Sequence, residues 1–375
     1  MKRKIIASLL ALSMVAVMFV GCGSSDDSTD GSVAEDTTED GGDALANNRT
    51  ADDEYQAYWD VEEELGDLPA EVTDLSVKIG FCGKAFENEF WRMEKEGTEE
   101  AQAAFQELGI DVTIEAQSAA GESDEQGQET VLKAMINGDY DALIIAPISD
   151  SNLTSALEEA VEAGIPMTYN NDMDANVTSI PAVAADHKDT AEKCCQWIAE
   201  QIGEEGQVAV VQGLPTAEAA RLRTDCFVEY AEANYPNIEV VAQQNADWDR
   251  TKAKDVAATI IKQYPDLKAI YANNDTMAMG VLEAVKEANK LGEILVVGTD
   301  GTSEALESIK AGELSATMND FPYYQSQVSC EMLLRRLAGQ EVPTAIYSPH
   351  AIVDSSNCNE ENADILGWTG WAVAE

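Results

Sequence analysis

Val77-Lys78-Ile79-Gly80-Phe81-Cys82 opens a body in which short apolar runs alternate with longer stretches of helical periodicity. Further runs occupy 112–116, 142–146, 165–169, 208–211, 238–242, 269–272 and 294–298. Continuous rather than alternating apolarity is what a parallel strand shows when helices cover both its faces. The stretches between carry apolar residues three or four apart, as at Ala101, Ala104, Phe105 and Leu108, or Leu153, Leu157, Ala160 and Val161. Gly109, Gly164, Gly203 and Gly312 each follow such a stretch, where a left-handed helix cap is expected. The fold class is therefore α/β.

Outward from this body, the N-terminus reads as an export device. Lys2-Arg3-Lys4 precedes the apolar run 5–20 and Gly21-Cys22, and that run is shorter than the roughly 20 residues that cross a membrane. Residues 1–21 are expected as a signal. Phe19-Val20-Gly21-Cys22 resembles a bacterial lipobox, which makes Cys22 the expected lipidation site and the cell membrane, at a Gram-positive surface, the expected address. Residues 22–75 are rich in Ser, Asp, Gly, Thr and Glu and read as an acidic disordered tether. Within them, the apolar positions between Tyr58 and Asp74 fit either a short helix docked on the body or more linker.

Composition excludes several function classes. A formal net charge of −47, with two histidines, repels phosphate backbones, so no nucleic-acid partner is expected. Glycine-rich nucleotide loops and metalloprotease motifs are missing, and no Cys/His pair sits at ligand spacing, so neither cofactor nor metal is expected. Cys82, Cys194, Cys195, Cys226, Cys330 and Cys358 have no framework spacing and read mostly as free, buried thiols. His187 and His350 read as solvated loop residues rather than as a pH-sensing hinge, and Trp197 as core. Without signal and tether about 300 residues remain, which argues for two domains.

Open parallel sheets bind ligands beyond the C-terminal ends of their strands. There the sequence places Lys84, Asn88, Phe90 and Trp91, then Asn171 and Asp172, then Arg223, Trp248, Asn274, Asp300 and Asp320. Aromatic faces stack on the C–H faces of a pyranose, while planar amide, carboxylate and guanidinium groups meet its paired hydroxyls. This set matches a monosaccharide. Arg221 reads as a surface partner of Glu218 or Asp225, and Asp275 as the cap of the helix that follows it.

The segments Gly80 to Trp91, Ala142 to Pro147, Asn245-Ala246-Asp247-Trp248-Asp249-Arg250, Ala272 to Gly280 and Val296 to Gly301 resemble the ribose and allose branch of the type I periplasmic sugar-binding proteins. The resemblance implies two Rossmann-like lobes with parallel sheets joined by three hinge crossovers: 76–186 plus 321–349, and 187–320 plus 350–375. It further implies a monomer that closes on a monosaccharide and hands it to an ABC transporter permease. Asn88 would hydrogen-bond the sugar, Phe90, Trp91 and Trp248 would stack on it, and Arg223, Asn274 and Asp300 would hold ring hydroxyls. Lys84 matches the allose-type site, which favours a pyranose hexose. The family's acidic residue falls on Asn171, followed by Asp172, and its hinge glutamine on Asp320.

Two other functions fit parts of the pattern. A receptor of the same fold would present a sugar or autoinducer to a membrane sensor kinase. A glycosidase would pair acids such as Asp172, Asp300 and Asp320, but nothing in the sequence marks one of them as a raised-pKa acid, so no catalytic residue is expected. The export signal and the missing helix-turn-helix exclude a repressor.

Overall fold

The computed structural model describes residues 45–50, 52–172 and 176–374. The signal, Cys22 and the tether as far as residue 44 lie outside them. In chain order the strands are β1 (Gln56–Ala57), β2 (Ser76–Ala85), β3 (Asp111–Ala119), β4 (Ala142–Ile145), β5 (Met167–Asn171), β6 (Ala182–Ala184), β7 (Gly206–Gln212), β8 (Ile238–Asn245), β9 (Leu267–Ala272), β10 (Leu295–Asp300), β11 (Ala316–Asn319), β12 (Ala345–Tyr347) and β13 (Ala351–Asp354). They form two sheets, ordered β1-β12-β6-β5-β4-β2-β3 and β13-β11-β10-β9-β7-β8. Every pairing is parallel except β11 with β13. The mixed α/β architecture in two lobes is the one expected.

The apolar runs are buried because helices cover both faces. Ile79 and Phe81 of β2 pack under the helix Glu89–Glu107, while Cys82 faces the opposite cluster with Leu143, Ile145 and Leu157. In the second lobe Val208 and Val210 face one cluster, Ala209 and Val211 the other. The chain passes between lobes three times, at β6 to the helix His187–Ile202, at β11 to the helix Pro322–Leu337, and at β12 to β13. In each lobe the strand order reverses beside the first strand of the βα series, β2 or β7, which puts the switch-point crevice at the C-terminal ends of β2 and β4, and of β7 and β9.

Two segments depart from expectation. The tether assigned through residue 75 ends earlier, because from Asn47 the chain packs on the first lobe. Asn47 donates to Ile165 O and accepts from Met167 N, at 2.8 and 3.0 Å. Tyr55 stacks on Tyr347, and Tyr58, Val61, Leu68 and Val72 are buried. Tyr58 to Leu65 is a helix, so the docked-helix alternative is the one observed. The C-terminal tail, assigned wholly to the second lobe, returns to the first. Leu68 exchanges backbone hydrogen bonds with Ala372 and Ala374, and Trp371 lies against Phe105 with ring centroids 4.6 Å apart. The burial of these aromatics outweighs the acidic neighbours that made both segments look like linker.

Beneath the crossovers sits Glu94, fully buried, with Asn170 and Ser326 as polar neighbours and Asp320 and Asp172 as nearby charges. Burial, followed by those acidic neighbours, pushes its carboxyl well above the ordinary range. The unfolded chain therefore releases this proton at a lower pH than the folded one, and stability falls as pH rises above about 4.5. Glu94→Gln, which has no proton to lose, is expected to melt higher than the parent at pH 8, with the gap narrowing toward pH 4.5 in calorimetric scans. Equal melting temperatures at both pH values would contradict this account.

The lobes touch across the cleft through Glu89, which accepts from Ser303 N at 3.0 Å and from its hydroxyl, and through Arg221 with Asp150 at 2.8 Å. Arg221 thus also joins the lobes. Exposed contacts of this kind contribute about 0.2–1 kcal/mol each. Removing both, in Glu89→Ala with Arg221→Ala, is expected to populate an open form, read as a larger radius of gyration by X-ray scattering without sugar and an unchanged one at saturating sugar.

Candidate sugar-binding cleft

A small cavity of about 30 Å³ lies where the strand ends of the two lobes meet. Lys84, Phe90, Trp91, Glu122 and Asn171 line it from the first lobe, and Ala219, Arg223, Trp248, Asn274 and Asp300 from the second. Both lobes form its walls, so a ligand seated here touches both.

Each wall residue is held by local structure. Lys84 ends β2, forms a buried ion pair with Asp172, and lies 5.0 Å from the Trp91 ring centroid. Trp91 meets Phe90 edge-on at 4.8 Å and donates its indole N–H to Glu122 at 2.8 Å. Asn88 caps the helix Glu89–Glu107 through Phe90 N and donates to Glu122 at 3.0 Å. Asn274 caps the helix Asp275–Glu287 by accepting from Met277 N. Arg223 donates to Asn273 O at 2.8 Å and to Asp320 at 2.6 Å, and reaches Asp300 only at 3.5 Å, the limit of a hydrogen bond.

Backbone strain concentrates here. Asn171, Trp248 and Asp300 have φ of 72°, 64° and 131°, conformations that side chains other than glycine adopt at a cost of order 1–3 kcal/mol. At Trp248 the strain turns the indole onto Gly213, where a Cβ would fall 2.2 Å from the ring. Gly213 therefore leaves the space that the aromatic wall occupies.

Of the expected residues, Lys84, Phe90, Trp91, Asn171, Arg223, Trp248, Asn274 and Asp300 come together on this cavity. Asn88 lies instead at the wider mouth, beside Glu89, Trp248 and Arg250. Asp172 and Asp320 stand one layer behind, committed to Lys84 and Arg223. Burial alone would raise Asp172, but Lys84 first, then His187, hold its carboxyl well below the usual range. Among the wall atoms, Asn171 Oδ1, Asp300 Oδ2 and Arg223 Nε have no partner within the protein. Such buried orphans are what a polyhydroxylated ligand satisfies.

Three expectations are corrected. Asp275 caps nothing: its carboxylate accepts from Gly301 N, Thr302 N and Thr317 Oγ1, and so braces the turn that carries Asp300. His187 is no solvated loop residue. It is fully buried, 3.6 Å from Asp172, and burial, followed by nearby Arg223, lowers its pKa in favour of the neutral ring. His350 is half-buried and bonded to Asp189 at 2.6 Å. Glu122 was missed; it lies just past β3, at the same strand-end position that yielded the others, inside a polar run that reads as plain loop.

Residues 79–341 match the family model of the periplasmic binding protein domain. The chain is 34% identical to the D-allose-binding periplasmic protein of Escherichia coli over 283 residues, 72% of this chain and 88% of that one. It is 32% identical to a ribose import binding protein of Bacillus subtilis over 272 residues, covering 72% and 85%. Among solved structures, a periplasmic solute-binding protein of an ABC transporter from Actinobacillus succinogenes, with bound D-allose, superposes with a TM-score of 0.70 at 27% identity, covering 76% of this chain and all of that one. These are binding proteins of transport systems, not enzymes. With two βα lobes, a cavity walled by both and a family match along most of its length, the chain belongs to the periplasmic binding proteins, as a sugar-binding solute-binding protein of the ABC transporter type.

Proposed function

We propose that this protein captures one monosaccharide, a pyranose hexose, between its lobes and delivers it to an ABC importer from a lipid anchor at Cys22. The observation that carries the reading is a cavity between the strand ends whose aromatic walls, Trp91 and Trp248, come from opposite lobes, and whose lining residues Asn171, Arg223 and Asp300 each keep a buried polar atom without a protein partner. Trp248 and Trp91 stack on the ring; Arg223, Asn274, Asn171 and Asp300 meet its hydroxyls. Asp172 and Asp320 position Lys84 and Arg223, and Asn88 sets Glu122 and Trp91 from the mouth. Because the ligand bridges two bodies, its binding energy is available only to the closed form, and closure is the signal a permease reads.

A thermal-shift screen over aldohexoses, pentoses, ketoses, polyols and amino sugars tests this directly. A hundredfold excess over Kd adds about 2.7 kcal/mol to stability, so the matching sugar raises Tm visibly. With that sugar, Trp248→Ala and Asp300→Ala are each expected to lose at least tenfold in calorimetric affinity, since each strips the second lobe of a contact. Near-native affinity in both would sink the assignment. Cys22→Ser, expressed in a Gram-positive host, is expected to move the mature protein from the detergent-rich to the aqueous phase on Triton X-114 partition.

A further inference from the structure

The cavity carries more acid than base. Its two cations are already engaged, Lys84 with Asp172 and Arg223 with Asp320 at 2.6 Å, both pairs buried. That leaves two further carboxyls on the wall. Glu122, from the first lobe, receives only the neutral donors Asn88 and the Trp91 indole. Asp300, from the second, is 3% exposed, keeps Oδ2 without a partner and has Arg223 only at 3.5 Å. Burial raises Glu122, and burial followed by the Asp275 carboxyl raises Asp300, with Glu122 itself among the charges that do so. The two carboxyls therefore sense each other across the cleft. Lys84 and Arg223 offset part of this, but a neutral ring between the two carboxyls brings no charge of opposite sign to them.

We propose that the ring this cavity takes is an amine, a protonated amino sugar or aminocyclitol, whose ammonium sits between Glu122 of one lobe and Asp300 of the other. An ammonium brings three donors and no acceptor, which suits the unpartnered Asp300 Oδ2 and the remaining acceptor capacity of Glu122 better than a hydroxyl does. It also turns a repulsion across the cleft into a bridge, so that closure itself becomes dependent on the charge. An acidic sugar has no free cation to meet. The proposal rests on the monosaccharide reading above and narrows its ligand class.

The test is calorimetric titration of the intact protein at pH 7 with D-glucosamine, D-galactosamine, D-mannosamine and an inosamine, each beside its hydroxyl parent and N-acetyl derivative. At least one amine is expected to bind ten times or more tighter than its hydroxyl parent, with the N-acetyl form, which keeps the nitrogen but not the charge, falling back to or below the parent. Glu122→Gln and Asp300→Asn are each expected to lower the amine-to-parent affinity ratio at least tenfold; a merely structural role would lower both affinities together and leave the ratio unmoved, which would overturn the proposal. So would a hydroxyl parent that equals or exceeds its amine, while leaving the monosaccharide reading intact. Absence of binding by every neutral sugar in the thermal-shift screen, and by every amine here, would overturn both.

Discussion

Two buried ion pairs set the terms for everything around the cleft. A lysine and an arginine brought out of water need carboxylates of their own, because an unpaired buried charge costs several kcal/mol. Lys84 and Asp172 both belong to the first lobe, Arg223 and Asp320 both to the second. Neither pair spans the gap, so each survives when the lobes part. The half-sites are thus organised before a ligand arrives, and little binding energy goes into ordering them. Contacts that do span the gap, such as Glu89 with Ser303 and Arg221 with Asp150, lie at the rim. Closure rests on weak contacts at the rim and on whatever fills the space between.

The same division explains where backbone strain was tolerated. Asn171 at the end of β5, and Trp248 and Asp300 at strand-to-helix turns, hold left-handed or otherwise unfavourable conformations. The two strand-to-helix turns are locked from behind. Asp275, buried and accepting from two backbone amides, fixes the turn after β10. Gly213 leaves room for the Trp248 ring, and the Asp249 cap of the next helix fixes the chain just beyond it. Strain of order 1–3 kcal/mol per residue persists only where surroundings over-determine it, and here the surroundings are regular helices and strands.

Much of this was legible in the sequence, for identifiable reasons. Runs such as Ala142 to Ile145 are apolar throughout, and only strands covered on both faces look like that, so the strands and the residues at their ends could be located. Several misses have a different cause, dependence on a partner elsewhere in the chain. Arg221 meets Asp150, 71 residues away. His187 is buried by a crossover and by Asp172 of the other lobe's neighbourhood. Tyr58 is buried against Glu331, 273 residues distant, and no local composition announces that. Asn274 and Asp275 show the smallest failure, a one-residue slip in the cap that exchanges a wall residue for a brace. Glu122 was hidden by composition alone, since Ser, Gly, Glu and Asp around it look like solvent-facing loop.

The long-range segments also tie the ends of the described chain to the lobes. The three crossovers lie on one side of the cleft, and on that side the C-terminal tail touches both lobes. Ile365 packs on the second lobe's core and Asn362 bonds Asn319, while Trp368 and Trp371, both half-buried, pack on first-lobe aromatics. The segment from Asn47 to Val72 packs on the first lobe as well, so residues from both ends of the described chain are built into that lobe's surface, while the tail keeps a contact to each lobe.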